Sequence, residues 1–243
     1  MPVSAVGVEY EYKWRVDALA DGWAPEEPER GDAIVEEILR SAAPALGGEH
    51  GELHTFAQSA LYFDTAAWDL AERNLSLAGL VNYGAMTGTG WLVLKETVRW
   101  AGHRRDALEV AESLDTRELA KAMTEGQAEP LRRASQRLGN PLPELVPFGK
   151  VVQRRRKVLW RLGEGLALGL TLDSSRLSAT GTQADAGTPT WWFEIEANSG
   201  DQRALNALAH LASAADTVLG SAPSHTTKPQ LAARIAGWQG SRA

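Results

Sequence analysis

The sequence predicts an α+β fold: an eight-stranded antiparallel β-barrel with helices packed outside it. Three observations carry this expectation. Val8 to Trp14 alternates apolar and charged residues without a slip. In a strand, that sends Val8, Tyr10, Tyr12 and Trp14 to one face and Glu9, Glu11 and Lys13 to the other. A second strand of the same kind, Trp191 to Glu196, lies near the opposite end of the chain. Around 114–140, and again from about 201 to 240, the apolar period changes to that of a helix.

Taken in order, residues 6–16 read as the first strand. Residues 21–31, with Pro25, Pro28 and three glutamates, read as a loop. Residues 33–42 have helical spacing through Ile34, Ile38 and Leu39, and Gly47-Gly48 ends that run. A second strand is expected over 53–64, followed by a short helix over 66–72. Leu75 opens a third strand. A turn-rich stretch over 84–90 leads to a fourth over 90–99, and 104–111 gives a fifth. Helices are expected over 114–123 and 128–138, closed by Gly139-Asn140-Pro141, with Pro141, Pro143 and Pro147 stiffening the connection. Residues 151–162 form the sixth strand. Gly163-Glu164-Gly165 is a hairpin loop, and 166–173 is the partner strand, alternating Leu166, Leu168, Leu170 and Leu172 with smaller residues. A polar loop over 178–189 precedes the eighth strand at 190–197. Two helices, 205–215 and 230–238, end the chain. One domain over 1–243 is expected, because both halves carry charged-face strands and neither alone is long enough to close a barrel.

Composition narrows the function classes. The chain has 243 residues, 44% of them hydrophobic, a net charge of -6 and a pI near 5.5. An acidic chain is a poor general nucleic-acid binder, so no nucleic-acid partner is expected. There are no cysteines, which removes disulfides and thiolate metal sites. The five histidines are scattered without ligand spacing. No signal-peptide pattern and no long apolar run occur, so a cytoplasmic protein with no membrane partner is expected. The segment from Gly84 to Gly90 lacks the lysine of a P-loop.

The charged strand faces point to the chemistry. Glu9, Glu11, Lys13 and Arg15 share one face of the first strand. Lys95, with Thr97 and Arg99 beyond it, shares a face of the fourth. Gln153, Arg155, Lys157 and Arg161 share a face of the sixth; Asp173, Glu194 and Glu196 complete the set. If the apolar faces pack under helices, these faces look into the barrel. Eight strands leave an interior that side chains fill or that holds one small ligand. Clustered carboxylates repel unless a cation lies between them, and hard divalent cations take oxygen ligands together with phosphates. Lys and Arg grip phosphate. The competing explanation is an internal salt-bridge network that neutralises itself.

The Glu9-x-Glu11-x-Lys13 strand resembles the signature of the CYTH superfamily, the triphosphate tunnel metalloenzymes. Tyr62-Phe63-Asp64-Thr65, Trp91 to Lys95, the basic strand around Arg155, Leu172-Asp173, Glu194-x-Glu196 and Thr227-Lys228 follow in the family's order. The resemblance implies that Glu9, Glu11, Glu194, Glu196 and Asp173 hold Mg²⁺ or Mn²⁺. It implies that Lys13, Lys95, Arg155 and Lys228 grip a triphosphate, and that Arg105 and Glu109 match a looser fifth-strand pattern in which Ala107 stands for an acid. The reaction implied is hydrolysis of a triphosphate or related polyphosphate, with Glu9, Glu11, Glu109, Glu194 and Glu196 as catalytic residues. The alternatives are phosphoryl transfer of the class IV adenylyl cyclase kind, with Trp192 or Tyr62 stacking on a base, and a non-catalytic phosphate-ligand binding protein. A small phosphorylated substrate and a monomer or homodimer are expected. One departure bears on all of this. The family's paired third-strand arginines are replaced by Ala78 and Leu80, and Gln153 stands where a base is usual.

Overall fold

The computed structural model describes residues 4–16, 28–83, 89–139, 141–181 and 190–240. Among the described residues, nine strands form one antiparallel sheet: β1 (Ser4–Val16), β2 (Glu49–His50), β3 (His54–Asp64), β4 (Leu75–Tyr83), β5 (Thr89–Ala101), β6 (Arg104–Asp115), β7 (Val146–Gly163), β8 (Leu166–Ala179) and β9 (Thr190–Ala197). Their order is β2-β7-β3-β4-β5-β6-β1-β9-β8, and a further β7–β8 pairing closes the ring. The short β2 pairs only with β7, so eight strands make the barrel. The expected fold class is the one observed.

Alternation decides what each strand buries. Trp14, Val158, Trp160, Leu168, Leu170, Phe193 and Ile195 project outward. They pack beneath α1 (Pro28–Leu46) and α5 (Gln202–Leu219), which contribute Val35, Ile38, Leu39, Leu208 and Leu211. Trp14 also donates its indole N–H to Asp216 on α5 at 2.8 Å, so the polar end of this fully buried ring is satisfied. A second outer core sets Leu77, Leu92, Leu94 and Val110 against Leu70 of α2 (Asp69–Glu72) and Leu131 of α4 (Glu129–Leu138), with Leu119 and Met123 of α3 (Leu119–Glu125) at its margin. With both apolar layers outside, the charged faces have only the interior left.

The sixth helix, α6 (Lys228–Ile235), closes one end. Ala232 packs with Ala60, Tyr62, Ala78 and Val151, which belong to inner strand faces. A Cβ added at Gly149 would lie 3.0 Å from the Ala232 Cβ, so strand and helix are already in close contact. The helix starts with a capping box, in which Thr227 and Gln230 satisfy each other's backbone N–H groups. The β7–β8 hairpin turns through Gly163, Glu164 and Gly165, all at positive φ. This is the backbone demand that the two glycines signal.

Several expected boundaries move. β6 continues to Asp115 because Gly90 and Thr89 of β5 still pair with Leu114 and Asp115, so the helix expected from 114 starts at Leu119. β7 begins at Val146, with Pro147 inside it. β8 runs on to Ala179, which leaves Asp173 in mid-strand rather than at a strand end. The expected loop over 178–189 therefore loses its first residues to a strand, and 182–189 lie outside the described residues. So do 17–27, most of the expected loop over 21–31, whose remainder opens α1. α6 starts at Lys228 and stops at Ile235, two residues before Gly237 at φ 105°.

Candidate functional site

Glu9, Glu11 and Lys13 are all buried, as are Asp173, Glu194 and Lys228. The strand register explains why residues so distant in sequence meet. Glu11 pairs with Glu196 and Lys13 with Glu194 across β1 and β9, while Thr171 and Asp173 of β8 face Glu194 and Trp192. On the other side, Glu11 faces Arg105 and Glu9 faces Ala107 of β6. Side chains from both ends of the chain thus line one tunnel.

Every acid in the tunnel meets a base. Lys95 Nζ donates to Glu9 at 2.5 Å and lies 2.9 Å from Glu109. Arg105 donates to Glu11 at 2.7 Å and to the Thr97 hydroxyl at 2.8 Å. Lys13 lies 3.2 Å from Glu11 and 3.5 Å from Glu194. Arg155 donates to Asp173 at 2.9 Å and to Glu194 at 3.3 Å. Lys228 reaches Glu194 at 2.9 Å and also bonds the second oxygen of Asp173. Lys157 donates to Glu196 at 2.5 Å. Glu9, Glu11, Glu109, Asp173, Glu194 and Glu196 are therefore balanced by Lys13, Lys95, Arg105, Arg155, Lys157 and Lys228. The internal pairing that sequence reasoning set against a ligand site is present. Among the described residues, six acids thus meet six bases.

The electrostatics are uneven within this balance. Burial pushes the Glu9 carboxyl up, and Lys95 only partly opposes it. Glu11, Glu196 and Glu109 add repulsion, and the group is left at about 8. Burial also raises Glu11, but Lys13 and Arg105 outweigh it and hold the carboxyl down at about 2. Glu194 is held well below the usual carboxylate range, because Lys13, Lys228 and Arg155 together overcome its burial. Glu196 is lowered, mainly by Lys157 against burial. Of these four acids, Glu9 is the one whose carboxyl is raised.

Whether a divalent cation suits the site turns on the donor set. Among the described residues, no three acidic or histidine side chains are close enough to cage a metal by themselves. Mg²⁺ needs no such cage; it takes one or two carboxylates, keeps waters and completes its shell with phosphate oxygens. The donor set, Glu9 and Glu11 with Glu194 and Glu196 across the β1–β9 ladder, is all carboxylate oxygen, the chemistry a hard cation takes. In this structure Asp173 has both oxygens on Arg155 and Lys228, and Glu11 and Glu194 likewise have both oxygens on basic side chains.

Another part of the wall is apolar. Ala60, Tyr62, Ala78, Leu80, Trp91 and Val93 follow from strand to strand on the inner faces of β3, β4 and β5. A neutral chain links Gln153 to Gln58 and Gln58 to Asn82, both at 2.7 Å, with Ser175 donating to Gln153 at 3.1 Å. This chain explains Gln153: in place of a base, it links Ser175 to Gln58 in a hydrogen-bonded chain.

Two expectations are corrected. Arg99 does not continue the Lys95 face. The register slips between Thr97 and Arg99, and this bulge turns Arg99 outward onto Asp106 at 2.6 Å. Trp192 is not at a tunnel mouth ready to stack on a base; it is fully buried, with Lys228 Nζ 6.0 Å from its ring centroid. Tyr62 is likewise buried and stacks on Phe148 at a centroid distance of 6.1 Å. Burial, with Glu194 across the tunnel, pushes its hydroxyl pKa up, so the ring stays neutral. Sequence reasoning placed Lys157 on the inner face but gave it no role, and it missed Gln58 and Asn82. Alternation was the available signal for all three.

The fold and its lining define a closed antiparallel tunnel barrel with an acid–base interior. No protein-family model matches the chain, and no curated protein matches it in sequence. Among solved structures, it resembles a candidate adenylyl cyclase from Hippeastrum with a dominant triphosphatase activity, at 20% identity over 93% of this chain and 95% of that one, TM-score 0.57. It also resembles a candidate adenylate cyclase from Bacillus halodurans, at 17% identity over 93% and 98%, TM-score 0.55. A protein of Pyrococcus horikoshii OT3 aligns at 16% identity over 93% and 98%, TM-score 0.53. At these identities the likeness is one of fold. The tunnel barrel implied by the resemblance to the CYTH superfamily is the barrel observed.

Proposed function

We propose that the protein is a divalent-metal-dependent phosphohydrolase acting on a triphosphate or related polyphosphate inside the tunnel. The observation that carries this reading is the meeting of Glu9 and Glu11 with Glu194 and Glu196 beside Lys13, Lys95, Arg155 and Lys228 in one enclosed space. The Hippeastrum protein's triphosphatase activity supports it only as an analogy between folds.

A bound Mg²⁺ or Mn²⁺ would supply charge neutralisation for the phosphoryl group. Glu9, Glu11, Glu194 and Glu196 would hold it. Lys13, Lys95, Arg105, Arg155 and Lys228 leave their carboxylate partners to receive phosphate oxygens, so an internal pair is exchanged for a pair with the substrate. Lys157, released from Glu196, does the same. Glu109, which is partly exposed and shares Lys95 with Glu9, would accept a proton from water in this reading. Catalysis of this kind is mostly positioning and electrostatics. Replacing Glu9 and Glu11 with Gln should lower metal-dependent phosphate release by about a hundredfold or more, the scale seen when a transition-state contact is lost. Undiminished release would reject the site.

One observation favours a second reading, a phosphate-ligand binding protein without turnover. Ala78 and Leu80 put apolar side chains where cations were expected, and the remaining charges are already internally paired. Thermal stabilisation by tripolyphosphate without phosphate release would support it. Incubation with ATP separates the cyclase alternative, which yields cyclic AMP and pyrophosphate.

A further inference from the structure

Two buried polar atoms on the tunnel wall, Thr171 Oγ1 and Trp192 Nε1, have no hydrogen-bond partner. Both residues are wholly inaccessible to solvent. They sit on the inner faces of neighbouring strands, one step apart: Thr171 is opposite Glu194 on β9 and Lys157 on β7, and Trp192 is opposite Asp173. Buried polar groups are nearly always paired, so two adjacent exceptions in one lining call for an explanation.

The chemistry of the two groups indicates what would satisfy them. An indole N–H only donates, so Trp192 cannot ligate a cation. A threonine hydroxyl can donate as well. Three cations stand around them: Lys157, opposite Thr171 on β7; Lys228, beside the Trp192 ring; and Arg155, which bridges Asp173 and Glu194. Two unused donors among these cations suit oxyanions. We propose that Thr171 and Trp192 form an uncharged donor subsite for the phosphoryl oxygens of the bound ligand. Because neither touches solvent, the ligand reaches them only as Arg155 and Lys228 leave Glu194. The donors lie idle in the internally paired tunnel and are used when those pairs open. This inference rests on reading the tunnel as a phosphate site.

The test is calorimetric titration of the full chain with inorganic tripolyphosphate and Mg²⁺, alongside melting of the protein without ligand. Thr171→Val keeps the shape and removes the hydroxyl, Thr171→Ser keeps the hydroxyl, and Trp192→Phe removes the N–H. Thr171→Val and Trp192→Phe should each bind about tenfold more weakly, the effect of one hydrogen bond to a charged group. Thr171→Ser should bind within about twofold of wild type. Removing an unsatisfied hydroxyl should leave the melting temperature of Thr171→Val unchanged or higher. Wild-type affinity in Thr171→Val, or weaker binding together with a lower melting temperature that Thr171→Ser does not restore, overturns the subsite alone. Absence of binding by the wild type overturns the phosphate reading and the subsite with it.

Discussion

At position 169 a Cβ would lie 2.8 Å from Glu196 Oε1, 2.9 Å from its Cγ and 3.2 Å from Lys157 Cε. Glycine there leaves the space in which the Glu196–Lys157 pair sits. Gly169→Ala should displace that pair and cost about 1 to 3 kcal/mol, the usual penalty for overpacking. Urea denaturation measures it, and an unchanged midpoint would mean the pair moves freely. Protonation acts at the same scale, with opposite signs at two neighbouring glutamates. Glu11 is held at about 2 against an ordinary 4.5, so its stabilisation is complete above pH 4.5 and is lost as pH falls toward 2. Glu9 is raised from 4.5 to about 8, so the native state keeps a proton that the unfolded chain releases, and stability falls as pH rises across that window. Glu9→Gln should flatten the alkaline slope of melting temperature against pH while leaving the acid limb in place. A slope identical to wild type would mean that Glu9 does not carry it.

Among the elements, α6 has a defined entry into the tunnel. Its capping box positions Lys228, the first helical residue, over Asp173 and Glu194. Thr227→Ala should cost about 1 kcal/mol through the lost cap, read from chemical denaturation; no change would mean that tertiary packing alone fixes the helix start. Strands were legible wherever one face was apolar and the other charged, as in β1, β7 and β9. Their ends were not, because a ladder continues as long as its partner does: Leu114 and Asp115 look helical by sequence but pair with Gly90 and Thr89. The bulge after Thr97 was equally hidden, and it reversed the side on which Arg99 lies.

For the molecule as a whole, alternation disclosed which residues face inward but not which acid meets which base. That depends on how the barrel is sheared when it closes. Glu196 shares a ladder position with Glu11, yet its ion-pair partner is Lys157, which stands two strands away on β7, beyond Gly169 of β8. Lys228 arrives from a helix, outside any strand pattern. The closed barrel also sets a charged wall opposite the apolar inner faces of β3, β4 and β5, where Leu80 and Trp91 pair. Leu80→Arg should tighten binding of inorganic tripolyphosphate about tenfold, as one charge-assisted contact would. Weaker or equal binding would show that this wall does not face the anion.

In the proposed function, carboxylates from opposite ends of the chain serve one ligand complex. A double-mutant cycle tests it most directly, using Glu9→Gln and Glu194→Gln and reading Mn²⁺ affinity by titration in the presence of tripolyphosphate. Each single change should weaken binding, and the double variant should fall short of the summed effects by about 0.5 kcal/mol or more, as groups sharing a ligand do. Strictly additive effects, or affinity unchanged in either single variant, would contradict it.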